Sequence, residues 1–273
     1  MRVRQTSFVG AVVVGGLVGW FLPRPAPTLT FLSVGQGSCA VLRSGGRTVL
    51  FDAGPKTEFI DGGERFVLPK LRGLGVSRVD VVVLSHPDLD HAGGLAAVMK
   101  TFPDARILAN AGFSQEEKLP KMLRSLGVSA ERVGWLPPFA RLSVGSLAID
   151  LASPRVVAGA DDNTGSVLAR IDGGAFIGGD APAEVERSFE NWIGPVSVMA
   201  ADHHGSRTSG DPSFLGVAHP KWIVISVGRN NRYGHPNPEA VSRYQATGAK
   251  IYRTDRDGDV GFVLQDGQWL AER

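Results

Sequence analysis

The sequence predicts an α/β domain made of two similar halves, each a sheet with covering helices, packed sheet against sheet. Three observations carry this. A run of short β patterns followed by β/α alternation occurs twice along the chain. The later strand patterns in each half are β-branched, nearly uninterrupted and end in acids or histidines, as strands buried on both faces do. The composition, 43% apolar with 35 glycines in 273 residues, suits a globular protein and argues against disorder.

Residues 1–27 stand apart from this pattern. Met1-Arg2-Val3-Arg4 is basic, Ser7 to Leu22 is apolar and uncharged, and Pro23-Arg24-Pro25-Ala26-Pro27 reads as a stiff spacer. The apolar run is near the lower limit for a bilayer span, where about 17 to 25 residues are usual. It lacks a convincing small-x-small cleavage site. The reading is therefore an N-terminal hydrophobic helix that anchors the protein to a membrane through residues 7–22, with a domain at 28–273 on the extracytoplasmic side. Secretion after signal cleavage is the alternative.

The first half opens with β patterns at Thr28 to Val34, Ser38 to Arg43 and Arg47 to Asp52. Glycine-bearing connections, Gly35-Gln36-Gly37 and Ser44-Gly45-Gly46, make these an antiparallel meander. A helix follows from Gly63 to Leu74, interrupted or kinked at Pro69. Val79 to Leu84 is a buried strand, and Gly94 to Lys100 a helix. Arg106 to Ala109 reads as a strand and Ser114 to Leu126 as a helix capped by Ser114, with Glu117 three residues on. In the second half, strands are expected at Arg141 to Val144, Leu147 to Ala152, Ser166 to Ile171, Ala175 to Gly179, Val196 to Ala201 and Trp222 to Val227. No linker or repeat divides 28–273.

The formal charge of +2 is too small to announce a nucleic-acid binder, and the single Cys39 excludes an internal disulfide or a thiolate zinc cluster. Chemistry instead gathers at strand ends. His86-Pro87-Asp88-Leu89-Asp90-His91 packs four potential metal ligands into six residues. Two imidazoles and two carboxylates crowd together cheaply only if a divalent cation offsets their desolvation and repulsion. Asp52 and Asp180 end strands, Asp202-His203-His204-Gly205-Ser206 follows another, and His235 lies in the loop after a fourth. The sixth histidine, His219, has no ligand-type neighbours and reads as a surface residue. Asp52 is placed to orient a ligand histidine from behind.

The ligand loop resembles that of the metallo-β-lactamase superfamily, usually His-x-His-x-Asp-His, with aspartate at position 88 in place of the second histidine. Taken with Val34-Gly35-Gln36-Gly37, Phe51-Asp52-Ala53-Gly54, His203-His204-Gly205-Ser206, Tyr233-Gly234-His235-Pro236 and Tyr252 to Gly258, it is similar to the extracellular domain of ComEC-type DNA-uptake competence proteins. The resemblance implies an αβ/βα four-layer sandwich with a metal cleft along one edge of the sheets. It further implies that Asp90, His91 and His235 hold one metal and that Asp180 bridges to a second near His86 and Asp88. Another histidine is usual where this chain reads Asp161-Asp162-Asn163, so the centre is oxygen-rich, His203 or His204 completes it, and the choice between two Zn2+ and two Mn2+ tilts to manganese.

The activity so implied is metal-dependent hydrolysis, most simply of DNA phosphodiesters in connection with competence. Asp90, His203, His204 and Ser206 form the catalytic group, and Arg207, Arg229 and Arg232 grip the phosphate backbone. Ser38 and Asn237 depart from the ComEC-like pattern, and nothing here resembles that family's many membrane helices. Hydrolysis of a small ester, thioester or lactam is the competing enzymatic reading, since one fold hosts many substrates. A non-catalytic DNA-binding or scaffolding domain is the third.

Overall fold

In the first half of the chain the hydrophobic pattern changes period as it leaves the meander. β1 (Thr28–Phe31), β2 (Ala40–Ser44) and β3 (Arg47–Phe51) pair antiparallel, and β4 (Val81–Val83), β5 (Arg106–Asn110) and β6 (Val133–Leu136) then add as parallel neighbours. The second half repeats the scheme. β7 (Phe139–Val144), β8 (Leu147–Ala152), β9 (Leu168–Ile171) and β10 (Ala175–Ile177) are antiparallel, and β11 (Val198–Ala200), β12 (Trp222–Ile225) and β13 (Lys250–Arg253) continue in parallel. This computed structural model describes residues 25–272. The membrane anchor expected at 7–22 lies outside them, and among the described residues no helix is long and apolar enough to cross a membrane.

One feature departs from two self-contained halves. The final hairpin, β14 (Val260–Gln265) and β15 (Gln268–Ala271), crosses back to the first sheet, where β14 pairs with β1 in the register Thr30 to Gly261. The sheets therefore have eight and seven strands. Trp269 seals the return, fully buried and donating its indole N–H to Asp172 O in the other half at 2.9 Å.

Alternation along the strands sets the layers. In β3, Val49 and Phe51 face the space between the sheets while Leu50 faces the helices outside. Val82 of β4 likewise faces outward and Val83 inward. Leu71, Leu95 and Val98 close the outer layer of the first sheet, on α1 (Leu68–Gly73) and α3 (Leu95–Thr101). Phe214 and Tyr244 close that of the second, on the helices Pro212–Ala218 and Pro238–Ala246. Each fully buried large apolar side chain contributes about 1.5–3 kcal/mol, so a one-residue slip of any central strand would expose several at once.

Local chemistry corrects several expected boundaries. The first helix begins as a wider turn at Gly63–Val67 and becomes α1 only at Leu68. Pro69, which has no N–H to donate, lies one residue past the change from the wide turn to α1, so the helix is interrupted there as expected. Ser114 caps no long helix. It ends a short turn and donates its hydroxyl to Ala111 O, and α4 (Lys118–Ser125) starts four residues later. The ligand loop is partly helical, with Asp88 at the N-cap of α2 (Leu89–Ala92). The strand β6 was not expected, because Val133-Gly134-Trp135-Leu136 is too short to show a period.

Candidate metal centre

Every candidate ligand leaves the carboxyl end of a strand, where parallel sheets open a crevice. The ligand loop is tied down through its backbone. Ser38 N donates to Asp90 O at 3.1 Å, and Ala53 N donates to His91 O at 2.7 Å. Thus the glycine-rich turn before Ser38 and the segment after Asp52 form the walls that hold the loop. Gly94 is required by contact, since a Cβ there would stand 2.1 Å from Ala53 O. Gly179 is required by conformation, with φ of +62° and a Cβ that would meet Ser85 Cβ at 2.6 Å.

Asp90, His91, Asp180 and His204 each offer one ligand atom, and the four atoms lie within 4.8 Å of one another. Asp180 is central. Its carboxylate oxygens stand 2.9 Å from His91 Nε2, 3.7 Å from the Nε2 atoms of His203 and His204, and 4.0 Å from His86 Nε2. Asp90 Oδ2 lies 3.3 Å from His204 Nε2, and His86 Nε2 lies 3.6 Å from Asp88 Oδ2. His235 joins from the β12 side, its ring centroid 5.7 Å from that of His203 and 6.4 Å from that of His204. The expected residues thus converge, although the tightest set has His204 where the resemblance placed His235.

The rear of the cluster fixes which nitrogen faces forward. Asp52 Oδ2 accepts from His91 Nδ1 at 2.6 Å, and Ser226 O, which can only accept, takes the His204 Nδ1 hydrogen at 2.8 Å. Ser85 Oγ joins His86 Nδ1 at 2.9 Å to Asp52 Oδ2 at 3.0 Å. All three rings therefore turn Nε2 towards Asp180 or Asp88. His86 Nε2 and Asp180 Oδ1 are buried without an aligned hydrogen-bond partner. An orphaned imidazole nitrogen beside an orphaned carboxylate oxygen, within a set of imidazoles and carboxylates, fits a divalent cation well.

The charges agree with that donor set. Burial alone would raise the Asp180 and Asp90 carboxyls, but His91 and His204 beside Asp180, and His204 and His91 beside Asp90, outweigh it and hold both below the usual range. Burial likewise opposes protonation of His91, yet Asp180 and Asp52 on either side push its imidazole well above its ordinary value. His203 and His235 move the other way, pushed down chiefly by burial. The His86 imidazole and then the Lys118 ammonium draw Asp88 far below the usual carboxylate range.

Backbone strain marks the same place. Asp52, His203 and His204 are non-glycine residues with φ of 62°, 51° and 55°. Such conformations cost of order 1–3 kcal/mol each and persist where the surroundings over-determine them. Beneath the histidine turn, burial and then the charge of Glu186 raise the Asp202 carboxyl well above its usual value. Glu186, raised by its own burial, accepts from Gly210 N at 2.8 Å and Asp211 N at 2.6 Å. Glu186 thereby holds the loop that follows the histidine turn.

The remaining expected residues are dispersed. Ser206 Oγ bonds Thr208 Oγ1 at 3.0 Å within its own turn. Arg207 is exposed on that turn, and Arg229 donates to Asp255 O at 2.6 Å. Arg232 stands over the Tyr233 ring, 5.0 Å from its centroid, and Tyr233 stacks in turn near His235 at 6.0 Å. Arg232 thus lines an open groove of about 930 Å3 with Lys56, Phe59, Asp90 and Lys118. His219 is exposed, as expected of a surface residue.

Comparison with known proteins places this geometry. The family model described as "Metallo-beta-lactamase superfamily" matches residues 32–207, more than half of the chain. The chain belongs to the metallo-beta-lactamase superfamily. Among relatives within it, the chain is 31% identical to "Competence protein ComA" of Neisseria gonorrhoeae over 92% of its own length and 34% of that protein. It is 29% identical to "ComE operon protein 3" of Bacillus subtilis over 96% of its own length and 37% of that protein. The chain therefore spans about a third of each of these relatives. The fold is shared with the metallo-beta-lactamase fold protein YhfI of Bacillus subtilis, at 14% identity and a TM-score of 0.55 over 90% of this chain and all of that one.

Two residues in contact with the cluster or its ligand loop were not singled out from the sequence. Ser85, whose hydroxyl links His86, Asp52 and His91, looked like the end of an apolar strand. Its polarity inside a buried run was the available signal. Lys118 bonds Asp88 Oδ1 at 2.6 Å and also contacts Asp162, and no local pattern connects those three positions.

Proposed function

We propose that the protein is a metal-dependent hydrolase that cleaves DNA phosphodiester bonds in connection with DNA uptake, as a domain held at the outer face of a membrane. One observation carries the reading. Asp90, His91, Asp180 and His204 bring ligand atoms from distant strand ends within 4.8 Å, with buried donor atoms beside them left without partners. The likeness to proteins named for competence supports DNA as the substrate class, and Lys56, Arg232 and Lys118 offer cations to phosphate in an open groove that Glu58, Asp88 and Asp90 also line.

Asp90, His91, Asp180 and His204 would hold one divalent ion, with His86 and Asp88 offering a second position and His235 a further nitrogen. An ion held there supplies Lewis-acid polarisation of a phosphoryl oxygen and makes solvent acidic enough to serve as nucleophile at neutral pH. The chain's own residues then do the positioning. Asp52 and Ser226 O lock the His91 and His204 rings, so their Nε2 atoms cannot swing away. His203, kept neutral by burial and 3.7 Å from Asp180, retains one N–H to offer a phosphoryl or leaving oxygen. Two carboxylates among the four tightest donors suit Mn2+ as well as Zn2+.

The test is incubation of the purified full chain with labelled single- and double-stranded DNA in Mn2+, Zn2+ or chelator. Chelator-sensitive cleavage that is lost in Asp90→Ala is expected. DNA retention without cleavage under either ion would make this a binding domain, and turnover of a thioester or lactam without DNA cleavage would make it a small-molecule hydrolase.

A further inference from the structure

Lys118 stands in an unfavourable place for a cation. It is the first residue of α4, and the amino end of a helix carries the positive pole of the peptide dipoles. Its ammonium is held there by two acids from separate segments, Asp88 Oδ1 of the ligand loop at 2.6 Å and Asp162 Oδ2 of the turn before β9. The other oxygen of Asp88 lies 3.6 Å from His86 Nε2, which is buried and without a hydrogen-bond partner. The unpartnered His86 nitrogen thus faces one oxygen of Asp88, while the other Asp88 oxygen and Asp162 hold a cation that belongs to the chain. Neither His86 nor Asp88 is among the four residues whose ligand atoms cluster most tightly.

We propose that Lys118 is the resident cation of the outer half of the centre, so that one divalent ion binds tightly and a second enters only by displacing the ammonium from Asp88 and Asp162. The proposal rests on the reading of the cluster as a metal centre. With Lys118 in place, one positive charge already offsets the two carboxylates, and an incoming ion meets both a repelling ammonium and donors that are engaged. Without it, the same carboxylates and His86 Nε2 are left uncompensated and receptive to a divalent ion. The side chain of Lys118 is half exposed, so its removal leaves the core intact, and its length lets the ammonium swing into the groove it also lines.

The experiment is titration of the chelator-stripped full chain with MnCl2, following heat of binding and the electron paramagnetic resonance of bound manganese, which separates isolated ions from a coupled pair. In the unaltered protein the second ion is expected to bind at least tenfold more weakly than the first. Lys118→Ala and Lys118→Gln should each narrow that gap by tenfold or more and give the coupled-pair signal at lower manganese. Lys118→Arg should keep the wide gap. An unchanged gap in both Lys118→Ala and Lys118→Gln, or two ions of equal affinity in the unaltered protein, would overturn the proposal and leave Lys118 as a surface ion pair. Failure of even the first ion to bind would instead overturn the metal-centre reading itself, and the same titration reports it separately.

Discussion

His91 and Asp88 are three residues apart in sequence and sit in two different physical environments. The His91 side chain is 1% exposed, gripped from behind by Asp52 and faced by Asp180, which is 5% exposed. The Asp88 side chain is 37% exposed and is held by a flexible lysine from another helix. At the inner end, backbone bonds from Ser38 and Ala53, a locked tautomer and left-handed turns at Asp52, His203 and His204 fix the geometry before any ligand arrives. At the outer end, geometry depends on exposed charges that solvent screens. Preorganisation is thus concentrated where the chain has buried carboxylates behind histidines, and affinity should follow it inward.

Asp180→Ala strikes the inner end hardest. It removes the oxygens that face His86, His91, His203 and His204, and DNA cleavage and metal uptake are both expected to fall below detection by gel assay and metal analysis. Retention of either at the unaltered level would break the comparison. Asp52→Asn comes next. It keeps the shape but replaces one accepting oxygen with an amide behind His91, and metal affinity should drop by about 10–100-fold, read by competition with a chromogenic chelator.

Protonation sharpens the same contrast. In the metal-free protein, the raised His91 value means that its pairing stabilises the fold fully below the ordinary value of 6.5 and loses that contribution as pH rises through the raised value. The lowered Asp180 value means that its contribution is full above the ordinary 3.8 and is lost as pH falls through the lowered value. Thermal unfolding of the stripped protein should therefore show the largest difference between native and His91→Ala in the window between those two ordinary values. Metal affinity should rise with pH as the His91 proton is given up, with proton release measurable in buffers of different ionisation heat. A pH-independent affinity would contradict the charge assignment.

The smallest effects belong to the rim. Arg232→Ala removes a cation from the groove and should raise KM for DNA a few-fold with kcat unchanged, with a shallower salt dependence. Arg207→Ala, on an exposed turn away from the groove lining, should change neither.

Much of the inner end was legible in the sequence because its parts follow strands whose apolar runs are unmistakable. Val79 to Leu84 announced that His86 to His91 begin at a strand end, and the runs before Asp180 and His203 did the same. The meander followed by parallel strands was readable twice for that reason. The outer end was not legible. Lys118, Asp88 and Asp162 meet only through tertiary packing, and a lysine at a helix start carries no local signature of a distant acid. The return of β14 to β1 was hidden likewise, since pairing across most of the chain leaves no trace in either strand's own pattern. The catalytic place expected for Ser206 rests on adjacency to His203 and His204, and its hydroxyl shares a hydrogen bond with that of Thr208. His204 belongs to the tightest set and His235 does not, and both His203 and His204 adopt left-handed backbone, a conformation that spacing does not reveal.

The most direct measurement is elemental analysis of the purified full chain after chelation and reloading with Mn2+ or Zn2+, beside His91→Ala treated identically. At least one ion per chain should survive exhaustive dialysis in the unaltered protein and none in His91→Ala. Equal and negligible metal in both, with the native fold intact by circular dichroism, would contradict the metal-centre reading.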